Sequence, residues 1–336
     1  MTPDTAVRAN HHEPPRHEPP AAIRATGVIV VLTVVVAIVA LAFALPAART
    51  APRDVPIGAA GPQAAGAQIA ATLEQQAPGA FSITYYPSEN ALRDAIRNRD
   101  VYGGIAFGPD GPTLLTATGG SPMIAQVLTQ IGTGIAQRSG AQLQVEDLAP
   151  PTTGDPRGAG LAASALPITL AGLLPAIALA LALKREVWTR FAATVIFAGV
   201  AGLSIAALLR WVLGSIDANF WGVTGALTLG ILATALTLLG LGSLFGRVGL
   251  ALGAVAALLV GNPLSGLNTA PELLPSGWGQ FGQFLPQGAN STLLRSAAFF
   301  DGAGGTVPAI VLTCWAVFGV ALIVLAALRQ RRARAA

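Results

Sequence analysis

Charged residues and cysteine are scarce in this chain of 336 residues. Only 11% of the residues are Asp, Glu, Lys or Arg, and 53% are hydrophobic, whereas roughly a quarter of an average soluble domain is charged. This composition indicates a membrane protein. The single cysteine, Cys314, excludes a disulfide within the chain and a cysteine metal cluster.

Lysine and histidine are almost absent as well. Lys184 is the only lysine, and no GxxxxGK[ST] motif occurs, which excludes a P-loop ATPase within this chain. No GxSxG motif occurs either, and no histidine or lysine in the last 150 residues could act as a base for Ser265. We therefore expect no enzymatic activity and no cofactor in this chain.

Residues 1–26 contain the near-repeat HEPPRHEPP, whose paired prolines oppose helix formation. This composition predicts a disordered, proline-rich cytoplasmic tail. A metal site is the alternative, because histidines and glutamates lie close together here: His11, His12, Glu13, His17 and Glu18. We favour the tail and expect no metal site.

The first apolar run, GVIVVLTVVVAIVALAFAL, extends from Gly27 to Leu45 without a charge. It is long enough to cross the roughly 30 Å hydrocarbon core of a bilayer, so we predict transmembrane helix 1 at residues 27–47. A cleaved signal peptide is the alternative, since Ala42–Ala44 mimics a cleavage site. The apolar core of a signal peptide is shorter, about 7–15 residues, which favours the uncleaved anchor.

Residues 48–158 differ in character and predict a small extracytoplasmic α/β domain inserted after the first helix. Five strands are expected, at Val55–Ala60, Phe81–Tyr86, Val101–Phe107, Thr113–Ala117 and Gln142–Val145. Helical patterns lie between them, at Ala67–Gln76, Glu89–Asn98 and Pro122–Arg138, and Ser88 is the expected N-cap of the second helix. Strands that alternate with helices indicate an α/β fold.

Residues 159–328 hold five further apolar runs, which together with the first predict an α-helical polytopic protein with six transmembrane helices. The runs are Leu161–Leu183, Phe191–Leu209, Phe220–Phe245, Val248–Gly261 and Val307–Leu328. They contain no Asp, Glu, Lys or His. A proton-driven transporter needs an ionisable residue within the membrane, so this absence disfavours that class.

The basic residues mark one side of the membrane. If the N-terminus is cytoplasmic, the basic tail of residues 329–336 is cytoplasmic too, together with Lys184, Arg185, Arg190 and Arg247. This distribution follows the positive-inside rule, so we expect a multi-pass plasma-membrane protein with both termini in the cytoplasm. Basic residues that flank apolar runs indicate contact with the lipid bilayer and not with nucleic acid.

The stretch 262–301 is too rich in proline and glycine to form one helix, and it predicts an outer re-entrant segment. Trp278, Phe281, Phe284 and Leu285 share an apolar face, which suits either an anchor at the membrane interface or a gate over a greasy substrate. The candidates for a substrate path or outer gate are these four residues with Asn262, Pro263 and Pro286.

Three segments carry a family resemblance: NPLSG (262–266), LPSGWGQFGQFLPQGA (274–289) and LLRSAAFFDG (293–302). These segments, and the order of one anchor, an outer domain and five spans, resemble the permease subunits of type-2 ABC exporters. They are most similar to the phage-infection-protein (Pip) branch. The resemblance implies short re-entrant helices beside a substrate exit. It also implies a homodimer, or a pseudo-dimer with a related permease, and a separate nucleotide-binding ATPase.

The sequence and this resemblance together predict the permease subunit of an exporter for a hydrophobic or amphipathic substrate. The ATPase is expected to dock on the loop that holds Lys184, Arg185, Glu186, Trp188 and Arg190. The alternative is a membrane receptor or scaffold that transports nothing and whose outer domain binds a partner.

Overall fold

The computed structural model describes residues 20–108, 111–140, 142–183, 186–267 and 269–335. The chain forms two compact units, residues 1–41 and residues 42–336. Most of the predicted N-terminal tail, including the three histidines, lies outside the described residues. The five strands and all helices after the first belong to the second unit.

The first unit contains, in its described part, the beginning of the helix α1 (Ala21–Ala48). This helix starts before the predicted position Gly27, because Ala21, Ala22 and Arg24 all favour helix. Its side chains from Ala22 to Leu41 are exposed. A helix that is apolar on every side is typical of a membrane span.

Residues 55–147 contain one sheet of five strands. The strands are β1 (Val55–Ala60), β2 (Phe81–Tyr86), β3 (Gly103–Gly108), β4 (Gly111–Thr116) and β5 (Gln144–Asp147). Their order is β2-β1-β3-β4-β5; only β3 and β4 pair antiparallel. The predicted positions of β1 and β2 are confirmed to the residue and those of β3 and β4 to within two residues; β5 begins two residues later than predicted.

Three helices connect the parallel strands: α2 (Gln63–Gln76), α3 (Glu89–Arg97) and α4 (Pro122–Ser139). The predicted N-cap of α3 is confirmed, because the Ser88 hydroxyl accepts a hydrogen bond from the Ala91 amide at 3.2 Å. Ser121 caps α4 in the same way through the Ile124 amide. These caps satisfy amides that have no partner within their helix.

The core on both sides of the sheet includes residues from the stretch 262–301. On one side, Phe300 packs with Leu92, Ile96 and Leu115. On the other side, Ala270 and Leu273 pack with side chains of the sheet and its helices, among them Ile57, Leu114, Ile124 and Leu128. The sheet and this stretch therefore share their apolar cores.

In the part of the chain that the structure describes, five helical segments are long and apolar enough to cross a membrane, so the protein has the character of a polytopic membrane protein. They are Ala22–Ala48, Ala159–Ala182, Val187–Val212, Phe220–Gly261 and Thr306–Ala333. The corresponding helices after α1 are α5 (Ala159–Ala163), α6 (Ala165–Ala182), α7 (Val187–Ala207), α8 (Phe220–Ala256) and a last helix at Thr306–Ala335. Six spans were predicted; here the predicted fourth and fifth form one segment of 42 residues.

This long segment reverses direction at Gly246, whose φ of 67° and ψ of −148° are not helical. A Cβ added to Gly253 would lie 2.7 Å from a methyl carbon of Leu238 and 2.9 Å from one of Leu241. In a straight helix, positions 238 and 253 would be about 22 Å apart. The segment is therefore a hairpin of two antiparallel arms, residues 220–245 and 247–261.

The first arm of the hairpin lies at the centre of the bundle and packs against α6, α7 and the last helix. Glycines permit close approach: Gly172 faces Thr234, and Gly202 faces Thr228. A Cβ on Gly240 would lie only 2.7 Å from a carbonyl oxygen of the last helix. Small residues at these positions allow helix backbones to approach.

The stretch 262–301 contains a 3₁₀ turn (Pro271–Leu273), the short helix α9 (Trp278–Gln283) and the helix α10 (Pro286–Phe299). The last helix, α11 (Thr306–Ala335), follows it. The predicted break into several pieces is confirmed. α10 packs against α8 and α11, and its Arg295 donates a hydrogen bond to Gly119, which follows β4. The helix α10 therefore joins the bundle to the sheet.

Candidate functional site

Asn262 follows the π-helical turn Ala257–Gly261, where the second arm of the hairpin ends. The residue is 8% exposed and contacts two cavities. One is an open crevice and the other is a small polar cavity. Asn262 was predicted to lie on a substrate path. In the structure its polar side chain lines both cavities.

The crevice has a volume of about 420 Å³. Its walls come from the end of α1, from α5 and α6, and from the stretch after Asn262; they include Phe43, Leu166, Pro263 and Leu274. Ligand sites in proteins commonly have volumes of about 300–1,000 Å³ and mainly apolar walls. The crevice can therefore accommodate a small apolar body with its polar end at Asn262.

Beside the crevice lies a cluster of buried amides, which we call the amide cluster: Asn262, Gln287 and Asn290. The hydroxyl residues Thr169, Thr234, Ser265 and Ser291 surround it. It encloses a cavity of about 20 Å³, enough for one water molecule. Glycines make room for it: a Cβ on Gly261 would collide with the Gln287 amide, and one on Gly230 with the Asn290 amide.

Two groups of the amide cluster have no hydrogen-bond partner among the described residues, Nε2 of Gln287 and Oδ1 of Asn290. Both side chains are buried, at 9% and 4% exposure. A buried polar group without a partner costs about 1–3 kcal/mol. One donor and one acceptor are thus free beside the small polar cavity, which shares Ala165, Asn262 and Ser265 with the crevice.

The predicted apolar face on α9 is largely exposed. Phe281 and Phe284 are 53% and 67% exposed, and Trp278 and Leu285 are half-buried. The carbonyl of Phe284 accepts a hydrogen bond of 2.7 Å from the indole of Trp315 in α11. Neither phenylalanine contacts the crevice or the small polar cavity. Pro286 begins α10, is buried and lines the polar cavity.

The predicted docking loop is described only from Glu186 onward, since Lys184 and Arg185 lie outside the described residues. Glu186 and Trp188 are exposed. Arg190, however, is 3% exposed and its Nε has no partner in the described part of the chain. Of the described residues predicted to dock the ATPase, Glu186 and Trp188 therefore lie at the surface and Arg190 is buried within the bundle.

Sequence reasoning missed a group of charged residues where the sheet meets α10. Arg295 lies in the stretch 262–301, which was expected to be an outer re-entrant segment; it is part of α10 and 7% exposed. Its guanidinium donates hydrogen bonds to the carbonyls of Gly119 (3.0 Å) and Leu267 (2.6 Å). Burial lowers its pKa to about 10, so the group stays protonated at neutral pH.

Gln287 and Asn290 were missed as well, although a signal was present. The two residues are three positions apart, as are neighbours on one face of a helix, in a segment that otherwise consists largely of small residues. Tyr102 and Glu272 gave no such signal, because they are 170 positions apart, yet the Tyr102 hydroxyl donates to a Glu272 carboxylate oxygen at 2.7 Å. Such pairs depend on the tertiary fold.

Comparison with known proteins found no relative of this chain. No protein-family model, no curated protein and no solved structure matches the chain.

Proposed function

We propose that this chain is the permease subunit of an exporter for hydrophobic or amphipathic molecules and that a separate ATPase drives it. The observation that supports this proposal is the crevice of about 420 Å³ whose wall includes Asn262, one member of the amide cluster. A molecule with an apolar body and a polar end fits this combination of surfaces. Its polar end would satisfy the free groups of Gln287 and Asn290.

The proposed topology has six crossings, because each arm of the hairpin counts as one. The basic tail at Arg329–Arg334 and the turn at Arg247 then lie in the cytoplasm of a plasma-membrane protein, as the positive-inside rule requires. The sheet lies outside, and the stretch 262–301 forms the outer end of the bundle. Their shared apolar cores support a location on the same side of the membrane.

The chain lacks a P-loop, so the proposed energy source is a nucleotide-binding subunit that is a separate protein. Its contact would be the cytoplasmic end of the bundle around Glu186 and Trp188, which are exposed. As in the exporters that the sequence resembles, the working unit would be a homodimer or a pair with a related permease. No cofactor is required in this chain.

The proposal is tested by efflux of the fluorescent amphiphile Nile red from cells that express the tagged full-length chain. Gln287→Met keeps the volume of the side chain but removes its amide, so it should slow efflux at least fivefold. Gln126→Met, on an exposed position of α4, is the matched control and should leave efflux unchanged. The tagged chain should also recover a nucleotide-binding subunit from native membranes.

Two results would contradict this function. One is efflux at the same rate with and without the wild-type chain. The other is recovery of the chain without any nucleotide-binding subunit under conditions that preserve known complexes. Both together would favour the alternative, a receptor or scaffold that transports nothing.

A further inference from the structure

A second cavity, which we call the junction cavity, lies where the sheet meets the segment 271–304. Its volume is about 580 Å³, in the range of small-molecule sites. Charged, aromatic and aliphatic side chains share its wall, among them Arg53, Arg99, Tyr102, Glu272, Leu274 and Phe300. Such a mixed wall suits a ligand that has both a charged and an apolar part.

Arg99 is held in a fixed position at this cavity. Its backbone φ of 65° lies in the left-handed region, which residues other than glycine seldom adopt. Its Nη1 donates to the carbonyl of Thr292 at 3.0 Å and to the hydroxyl of Ser296 at 2.5 Å. The guanidinium carbon lies 5.1 Å from the ring centre of Phe300, a cation–π distance.

The remaining donors of Arg99 are unused. Among the described residues, its Nε and Nη2 have no hydrogen-bond acceptor, and no carboxylate lies within ion-pair distance. Neither atom belongs to the fully buried polar atoms without a partner, so both keep accessible surface, and Arg99 lines the cavity. A guanidinium with two parallel free donors is suited to a carboxylate or a phosphate.

The charges around Arg99 favour an anion at this point. Arg53 already donates to the carbonyls of Ala51, Leu273 and Leu274. Glu272 accepts from Tyr102, and its negative charge acts on Arg99 only from beyond ion-pair distance. Asp54, the other acidic residue of the wall, is exposed. Behind Arg99, Arg295 adds a buried positive charge whose hydrogen bonds go to neutral carbonyls.

We propose that the junction cavity binds an amphiphile with one anionic head group, a carboxylate or a phosphate ester. The head group pairs with the free donors of Arg99, and the apolar part lies against Phe300 and Leu274. The same chemistry is found in a free acidic amphiphile and in the head group of an anionic membrane lipid. This binding does not depend on export, because it requires neither an ATPase nor the crevice at Asn262.

The test uses the full chain in nanodiscs of phosphatidylcholine, with hexyl phosphate as the probe in titration calorimetry and empty nanodiscs as the blank. Wild type should bind hexyl phosphate saturably, and Arg99→Gln should weaken binding tenfold or more. Arg97→Gln changes an exposed arginine of α3 and should have no effect. Gln280→Glu, at an exposed position on the cavity wall, should also weaken binding, because it adds a carboxylate without disturbing the core.

Controls with other probes decide the chemical class. Neutral hexyl glucoside and inorganic phosphate should each bind at least tenfold more weakly than hexyl phosphate. Equal binding of any of these probes, or equal affinity of wild type and both cavity variants, would overturn the proposal. Nanodiscs that contain phosphatidylglycerol distinguish the sources: competition with hexyl phosphate supports a lipid head group as ligand, and absence of competition supports a free amphiphile.

Discussion

Arg295 joins two parts of the chain that are far apart in sequence. It donates to Gly119, which follows the sheet strand β4, and to Leu267, which follows the hairpin. A buried charge is costly to desolvate, and its lowered pKa reflects that cost. The two hydrogen bonds offset part of this cost, because they replace bonds that the guanidinium would make to water. They also provide a donor for two buried carbonyl groups.

Arg295→Met should destabilise the protein, since it leaves the carbonyls of Gly119 and Leu267 unpaired. Each lost bond costs about 1–3 kcal/mol and the removed charge returns part of that. A net loss of about 2 kcal/mol corresponds to a fall in Tm of about 3 °C for the unit of residues 42–336. The measurement is thermal unfolding in detergent with Arg97→Met, an exposed arginine, as control; an unchanged Tm in Arg295→Met would contradict the structural role.

At the level of single residues, local roles could be predicted and long-range roles could not. The N-cap at Ser88 follows from its position before a helical pattern, because a cap acts within three residues. The burial of Arg295 does not follow from its neighbours in sequence. It depends on carbonyl groups 28 and 176 positions away, which only the tertiary fold brings together.

Among the elements, the hairpin depends on one glycine. The φ and ψ of Gly246 are close to a region that only glycine adopts readily, and other residues pay about 1–3 kcal/mol there. The predicted breaks at Phe245 and Val248 were placed correctly on either side of the turn. The sequence could not show how tightly the two arms pack, because that depends on the facing side chains Leu238 and Leu241.

Gly246→Ala should therefore lower stability by about 1–3 kcal/mol, although a Cβ at this position would meet no neighbouring atom. Gly225→Ala is the matched control, because Gly225 is helical and a Cβ there also meets nothing. This control should be neutral or more stable by up to about 1 kcal/mol. Thermal unfolding of both variants measures the difference; an equal effect would show that the turn tolerates a side chain.

Strands and helices of the sheet were predicted well because their signals are local. The largely apolar stretch VPIGAA marks β1, and the stretch FSITYY, in which polar and apolar residues alternate at first, marks β2. The pairing order β2-β1-β3-β4-β5 has no local signal. The packing of Ala270 and Leu273 against the sheet was likewise not predicted, since the stretch 262–301 was expected to be an outer re-entrant segment in contact with the membrane.

For the whole molecule, cysteine labelling on intact cells tests the proposed topology. In a Cys314→Ser background, Asp94→Cys on α3 should react with an impermeant maleimide. Arg247→Cys at the hairpin turn and Ala333→Cys in the basic tail should react only after permeabilisation, because the proposed topology places them in the cytoplasm. All three positions are exposed, so access from the aqueous phase decides the result.

Each position tests a separate part of this topology. Labelling of Arg247→Cys on intact cells would rule out six crossings and leave the hairpin on the outer side. Labelling of Ala333→Cys with protection of Asp94→Cys would reverse the orientation. The sheet and the C-terminal tail can therefore be assigned to a side of the membrane without knowledge of the substrate.

The second arm of the hairpin has a consequence for the lipid around it. At 1.5 Å per residue, residues 247–261 extend about 22 Å, which is about 8 Å less than the hydrocarbon thickness of a bilayer. If this arm starts at one membrane surface, Asn262 and the amide cluster lie at the depth of the acyl chains. Local thinning of the bilayer relieves such hydrophobic mismatch. The bilayer should therefore be thinner beside the crevice, and water should come closer to the lipid tails there than elsewhere.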